Sequence, residues 1–163
     1  MMKSSLLKRT AWIVLLCGMA GVTWAGPSQP GSAKDFGVGA IVGDPTGLTA
    51  KYWITHKRAV DMALAWDLSG DDDRLEIHAD HLWHFDLNMN RMEGRLPLYV
   101  GLGGRLLTGH DARLGVRIPF GISYLFAQVP IELFGEIAPL LDVTPDSDTS
   151  VNGGVGVRFY FKN

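Results

Sequence analysis

The chain has 163 residues with 15 Lys+Arg against 17 Asp+Glu, a length that suits one domain and a net charge of −2 that supplies no basic field for nucleic acid. Hydrophobic residues make up 47%, too many for disorder, yet no run of eighteen apolar residues follows the N-terminus, so helical membrane spans are excluded there. The 20 glycines follow no collagen period and point to β structure with crowded positions.

Residues 1–25 read as a secretory signal peptide. Lys3, Lys8 and Arg9 form a positive start, Ala11 to Val22 a short apolar core, and Thr23-Trp24-Ala25 the small-residue end that places cleavage after Ala25. The apolar core is too short to be retained as a span. Cys17 lies in mid-core behind Leu16, which argues against a lipidated cysteine. Cleavage removes three positive charges and no acid, leaving 12 basic and 17 acidic residues, a net of −5, and no cysteine for a disulfide. Residues 26–34 (GPSQPGSAK) are expected to be a flexible leader.

From residue 35 onward the dominant period is two, and eight alternating runs follow one another between turn signals. The first, 35–43, sets Phe36, Val38, Ala40 and Val42 against Gly37, Gly39 and Ile41. Asp44-Pro45-Thr46-Gly47 then reads as a turn, Pro presetting φ and Gly47 accepting a positive one. The second, 48–55, sets Leu48, Tyr52 and Ile54 against Thr49, Lys51 and Trp53, and the third sets Val60, Met62, Leu64 and Trp66 against Asp61, Ala63, Ala65 and Asp67. The fourth, 75–86, sets Leu75, Ile77, His81, Trp83 and Phe85 against Glu76, His78, Asp80, Leu82 and His84. The fifth, 97–107, carries Tyr99, Gly101, Gly103 and Arg105 on its more polar face, and the sixth, 113–124, carries Arg113, Gly115, Arg117, Pro119 and Gly121. The seventh, 130–142, has Glu132, Phe134, Glu136 and Ala138 there, and the eighth, 152–161, has Gly154, Gly156, Arg158 and Tyr160. Pro119 and Pro139 fall inside runs and predict a bulge or break at each.

Strand over more than half of the mature chain exceeds what an ordinary globular domain carries, but suits a closed eight-stranded up-and-down antiparallel β-barrel over 35–163, where no edge remains. The composition of the two faces orients it. Lys51, Arg105, Arg113, Arg117 and Arg158 oppose Asp61, Asp67, Glu76, Asp80, Glu132 and Glu136 on one face, close to the balance that a buried ion-pair network requires. The same face holds most of the glycines, which let a narrow lumen fill without clashes. The other face is Leu, Val, Ile, Phe and Trp, suited to lipid, with aromatics near strand ends as interfacial girdles would place them.

The densest titratable cluster is Glu76, His78, Asp80 and His84. On alternate positions of one strand it could converge on a metal or a proton path, or pair across the lumen with Lys51, Arg105 and Arg117; we expect the pairing, and neither metal nor cofactor. Asp71-Asp72-Asp73 lacks a calcium-loop pattern and reads as a solvated loop, and "GVGAIVG" at 37–43 has no following Lys-Ser/Thr, which excludes a phosphate loop.

These features resemble the small outer-membrane β-barrel proteins of Gram-negative bacteria, of the OmpX/OmpA-transmembrane kind, over the signal peptide and the whole of 35–163. The C-terminal "VGVRFYF" resembles their last-strand assembly signal, matched here by Val155, Val157, Phe159 and Phe161, although Lys162 and Asn163 follow where the family ends on Phe. "DPTG" with "LTAKYW" and the later "RIPFGISYLF" also resemble a family of small barrel proteins that supplies no established activity. The resemblance implies an outer-membrane location with both termini in the periplasm. The turns at 44–47, 68–74, 108–112 and 143–151 would then lie outside and those at 56–57, 87–96 and 125–129 in the periplasm. It implies contact with outer-membrane lipid and lipopolysaccharide, dependence on barrel-assembly machinery and periplasmic chaperones, and a monomer without nucleic acid. The outer turns are shorter than in OmpX-type proteins, which weighs against adhesion.

The expected role is structural or surface-interacting, with a charge-filled, non-conducting lumen and no enzymatic activity. The alternatives are a soluble periplasmic lipocalin-like barrel around an apolar ligand and a lipid-modifying outer-membrane enzyme. The deacylases of the latter class use a His-x-Ser pair, and no His-x-Ser occurs in this chain.

Overall fold

A computed structural model describes residues 30–67, 74–87, 93–108, 112–144 and 147–161. Among these residues there are ten strands and no helix: β1 (Phe36–Asp44), β2 (Gly47–Thr55), β3 (Arg58–Asp67), β4 (Arg74–Asp86), β5 (Gly94–Arg95), β6 (Pro97–Thr108), β7 (Arg113–Arg117), β8 (Phe120–Phe126), β9 (Ile131–Thr144) and β10 (Asp148–Phe161). All pairings are antiparallel, and β1 closes on β10 from Phe36↔Phe161 to Asp44↔Gly153. The ring has eight positions, because β7 and β8 both lie between β6 and β9, and β5 only adds a two-residue patch to β8.

The ladders are uneven. β4 and β6 pair from Leu75↔Thr108 to Asp86↔Pro97, whereas β1 and β2 pair only from Phe36↔Tyr52 to Ile41↔Gly47. The β9–β10 hairpin runs on to Asp142↔Asp148, beyond the end of β1.

The two prolines behave differently. Pro119 breaks its strand between β7 and β8, yet the register on both sides is the same, Arg117↔Leu140 and Phe120↔Ile137. At Pro139, where a bulge or break is also expected, β9 continues uninterrupted. Pro139 faces the Ile118-Pro119 gap, so its missing donor falls where no ladder runs, and its carbonyl still accepts from Ile118 N at 3.0 Å.

The first hairpin also differs from expectation in detail. The positive φ belongs to Gly43, at 150°, and not to Gly47. Gly47 is needed for close approach instead, since a Cβ there would stand 2.3 Å from the Leu64 carbonyl oxygen. The Asp44–Pro45 peptide is cis, and the Thr46 hydroxyl donates to the Gly43 carbonyl at 2.8 Å.

Residues 30–34 of the leader, expected to be flexible, are bonded to the barrel. Lys34 N donates to Trp53 O at 2.7 Å, Trp53 N donates to Asp35 O at 3.0 Å, and Arg95 Nη1 holds the Gly31 carbonyl at 3.0 Å. These bonds dock a turn over the barrel end at which β1 begins and β10 ends, called the terminal end below.

Burial is inverted relative to a water-soluble domain. Along β9, Glu132, Phe134, Glu136, Ala138, Leu140 and Asp142 are buried, while Leu133, Ile137, Leu141 and Val143 are exposed. Leu48, Ile137 and Val155 expose 52%, 61% and 65% of their surfaces on the outside, whereas Lys51 and Glu132 expose none inside. No helix among the described residues is long and apolar enough to cross a membrane. The apolar band of this chain belongs to the outer face of its strands.

Candidate functional site: the charged interior

The alternation that turns apolar side chains outward delivers one ionisable residue after another to the lumen, where they meet in three tiers. Nearest the terminal end, Lys51 Nζ donates to Glu132 at 2.8 Å, and Arg158 reaches Asp61 at 2.6 Å, Thr49 at 2.8 Å and Glu132 at 3.4 Å. Glu132 also accepts from Ser123 at 2.6 Å and from the Tyr160 hydroxyl, which itself accepts from Trp53 Nε1 at 3.1 Å. In the middle tier Arg117 is held between Asp80 and Glu136, and the Tyr99 hydroxyl donates to Glu136 at 2.9 Å. At the distal end Arg105 Nη2 contacts both oxygens of Asp142 at 2.7 Å and Nη1 reaches Glu76 at 3.5 Å. Glu76 further meets Asn152 Nδ2 and His78 Nδ1, each at 3.2 Å.

Charge balance keeps these groups inside. A buried guanidinium or carboxylate is tolerated when a partner and further hydrogen bonds replace its water, and each buried Arg here has at least one carboxylate. Aromatic faces supply part of the rest: Arg158 Cζ lies 3.7 Å from the Phe134 ring centroid, and Lys51 Nζ lies 4.7 Å from Trp53 and 5.2 Å from Tyr99. Glycines make room for the rings. A Cβ on Gly121 would stand 2.2 Å from the Tyr99 ring, and one on Gly156 2.4 Å from the Phe134 ring.

Of the residues singled out in the sequence, Lys51, Asp61, Glu76, His78, Asp80, Arg105, Arg117, Glu132, Glu136 and Arg158 are all buried in these tiers. Arg113 is not; its side chain is 38% exposed at the distal mouth, 3.9 Å from both Asp142 and Asp148. His84 is buried but takes no part in ion pairing. Its ring lies 4.2 Å from Trp53 and 5.4 Å from Tyr99, and neither ring nitrogen has a partner. Sequence position on a polar face therefore overstates its role: stacking, not charge, holds it. The metal reading of the same cluster lacks geometry, since Asp80 turns to Arg117 and His78 to Glu76, and among the described residues no group of three His, Cys, Asp or Glu is placed to hold an ion. The side chain of Asp67, Asp71-Asp72-Asp73 and the cleavage position Ala25 lie outside the described residues.

Several interior residues escape the sequence reading: Asp142, Ser123 and Asn152. Asp142 shares the parity of Glu132 and Glu136 along β9 and could have been found by extending that alternation to the strand end. The floor of the lumen is likewise unforeseen. Trp53, Ala59, Leu125 and Tyr160 pack together with exposures of 2% or less, and Arg95 lies across them, 5.6 Å from Trp53 and paired to Asp86 at 2.9 Å.

On the outside, Val155, Val157 and Phe159 of the C-terminal segment are exposed, and the rings of Phe159 and Phe161 meet at 5.2 Å. Aromatics do not form two equal girdles. Tyr52, Trp83, Phe85, Tyr124, Phe126, Phe159 and Phe161 all lie toward the terminal end, leaving Trp66 as the distal aromatic on the outer face of the described strands.

No family model matches this sequence, and no curated protein matches it. Among solved structures, the crystal structure of the N-terminal β-barrel domain of Pseudomonas aeruginosa OprF is similar, with a TM-score of 0.56 at 14% identity over 79% of this chain and 98% of that one. At that identity the likeness is one of fold, and it agrees with the eight-position antiparallel ring.

Proposed function

We propose that this chain is an integral outer-membrane β-barrel protein of a Gram-negative bacterium, exported by a signal peptide cleaved after Ala25, with a plugged lumen and a structural or surface-interacting role. The inverted burial carries this reading. Thirty-odd ångströms of bilayer accept an apolar strand face only where water does not, and a ring that hides Lys51, Arg117, Glu132 and Arg158 while exposing Leu48, Ile137 and Val155 is stable only with hydrocarbon outside. The terminal end, with its aromatic belt, then faces the periplasm. The distal end faces the outside, and outer-membrane lipid and lipopolysaccharide surround a monomer. Val155, Val157, Phe159 and Phe161 serve as the signal for barrel-assembly machinery after periplasmic chaperones deliver the chain.

Three ion tiers above an apolar floor support a barrier to ions, and no enzyme activity is proposed. A lipocalin-like soluble barrel would need the opposite arrangement, an apolar interior under a polar shell. Cell fractionation tests the proposal: the mature chain should leave the envelope only with detergent, migrate in a heat-modifiable way on gels, and give no steady conductance in planar bilayers. Recovery as a detergent-free periplasmic protein would overturn it.

A further inference from the structure

The distal end of the lumen is a cup of about 660 Å³, lined from seven of the eight ring positions and the β1–β2 turn, and this lies within the size range of small-molecule sites. Its floor is the third ion tier, Glu76, Arg105, Asp142 and Asn152, each more than nine-tenths buried. That floor is incompletely satisfied: Arg105 Nε is buried with no hydrogen-bond partner, although both of the residue's terminal nitrogens are engaged. Above it Arg113 stands 3.9 Å from Asp142 and from Asp148, too far for a hydrogen bond to either, so a donor and two acceptors are held apart at the mouth. Ser150 and Thr46 add hydroxyls and Asp44 a further carboxylate.

We propose that this cup binds a saccharide, a neutral or amino sugar of one or two rings, at the outer mouth of the barrel. This rests on the outer-membrane reading above, which places the distal end outside the cell. The donor–acceptor mixture selects the ligand class. Two guanidiniums face four carboxylates, so an anion meets a net negative field, while a simple cation leaves Arg105 Nε and Arg113 without an acceptor. Vicinal hydroxyls both donate and accept on neighbouring carbons, and so satisfy a carboxylate and a guanidinium together.

The test uses the mature chain refolded in detergent, shown folded by heat-modifiable migration, and titrated with chitobiose and with lactose while Trp emission and equilibrium dialysis are followed. Spermidine and inorganic phosphate serve as comparison probes. Saturable binding of a disaccharide is expected, weakened about tenfold or more by Arg113→Gln and by Asp148→Asn, the loss that removing one charged hydrogen-bond partner produces. Both residues lie at the mouth, so these variants should keep the fold. Repeating the titration in vesicles containing lipopolysaccharide identifies the source: competition assigns the cup to headgroup sugars, no competition assigns it to free saccharide, and both support the proposal. Binding of spermidine or phosphate alone, no saccharide binding by the folded barrel, or binding indifferent to both variants would overturn it. A chain that does not fold in detergent at all would instead sink the outer-membrane reading.

Discussion

Replacing Glu132 by Leu removes the acceptor on which four interior groups converge. Lys51 loses its contact at 2.8 Å, Arg158 one of two carboxylates, and the hydroxyls of Ser123 and Tyr160 their partner. Lys51 is fully buried, so its charge has no water to turn to, and breaking a buried pair on one side costs about 3–5 kcal/mol. Orphaned hydroxyls raise the cost toward the upper end of that range. The double variant Lys51→Met/Glu132→Leu removes both charges and leaves Arg158 with Asp61 at 2.6 Å, so it should recover about half of the loss or more. Lys51→Met alone leaves Glu132 with Arg158, Ser123 and Tyr160 and should be milder than Glu132→Leu. Urea unfolding in micelles, read by heat-modifiable gel shift and Trp emission, measures all three. If Glu132→Leu stays within about 0.5 kcal/mol of the parent, the size of an ordinary surface change, the lumen is hydrated and the ion tiers do not hold the barrel together.

Three further perturbations address the other structural elements. Gly39→Ala should disrupt closure of β1 on β10, costing about 1–3 kcal/mol or abolishing the folded gel species, because the new Cβ would meet the Val157 carbonyl oxygen at 1.8 Å; Gly104→Ala, whose Cβ would meet nothing closer than 3.7 Å, is the matched control and should be silent. His84→Phe keeps the stack between Trp53 and Tyr99 and removes two unpartnered ring nitrogens, so urea midpoints should hold or rise by about 1 kcal/mol; a fall of that size would mean that His84 has a polar partner such as a bound water. Arg95→Gln should release the docked turn without unfolding the ring, seen as faster hydrogen exchange at the Lys34 amide against an unchanged urea midpoint, and unchanged protection there would refute the latch.

The ring itself is legible because a period of two leaves a clear trace when one face meets lipid and the other meets charge. Lys51 between Ala50 and Tyr52, or Glu132 between Ile131 and Leu133, announces its direction without any knowledge of the partner strand. Partner choice is not legible in the same way. Arg117 binds Asp80 and Glu136, on β4 and β9, and Arg158 binds Asp61 across the lumen, and these matches follow from strand tilt and stagger, which alternation does not encode. His84 shows the opposite limit: it shares the parity of Glu76 and Asp80 yet ends among rings, because the lumen narrows onto Trp53 and Tyr99 there. The docked turn at Gly31 depends on long-range contacts from Arg95 and Trp53, in a segment whose composition suggests only flexibility. Pro139 is tolerated in mid-strand because of its neighbour across the ladder, a fact about two strands that neither contains alone.

The barrel is graded along its axis. At the terminal end the floor is Trp53, Leu125 and Tyr160, with Arg95 and the docked turn across it, and the aromatic belt surrounds the same level outside. At the distal end the interior is polar and only partly satisfied, and the β9–β10 hairpin projects past β1. Ion pairing is most complete in the terminal tier around Glu132, whereas the middle tier leaves Asp80 Oδ1 and Arg117 Nε, and the distal tier Arg105 Nε, without a hydrogen-bond partner. Satisfaction is therefore highest in the tier nearest the floor, and the unsatisfied Arg105 and loosely held Arg113 stand where a ligand from outside can reach them. A strong ion core with a weak mouth divides the two tasks by depth, so substitutions at Arg113 and Asp148 should change binding without changing unfolding, and substitutions at Glu132 should do the reverse.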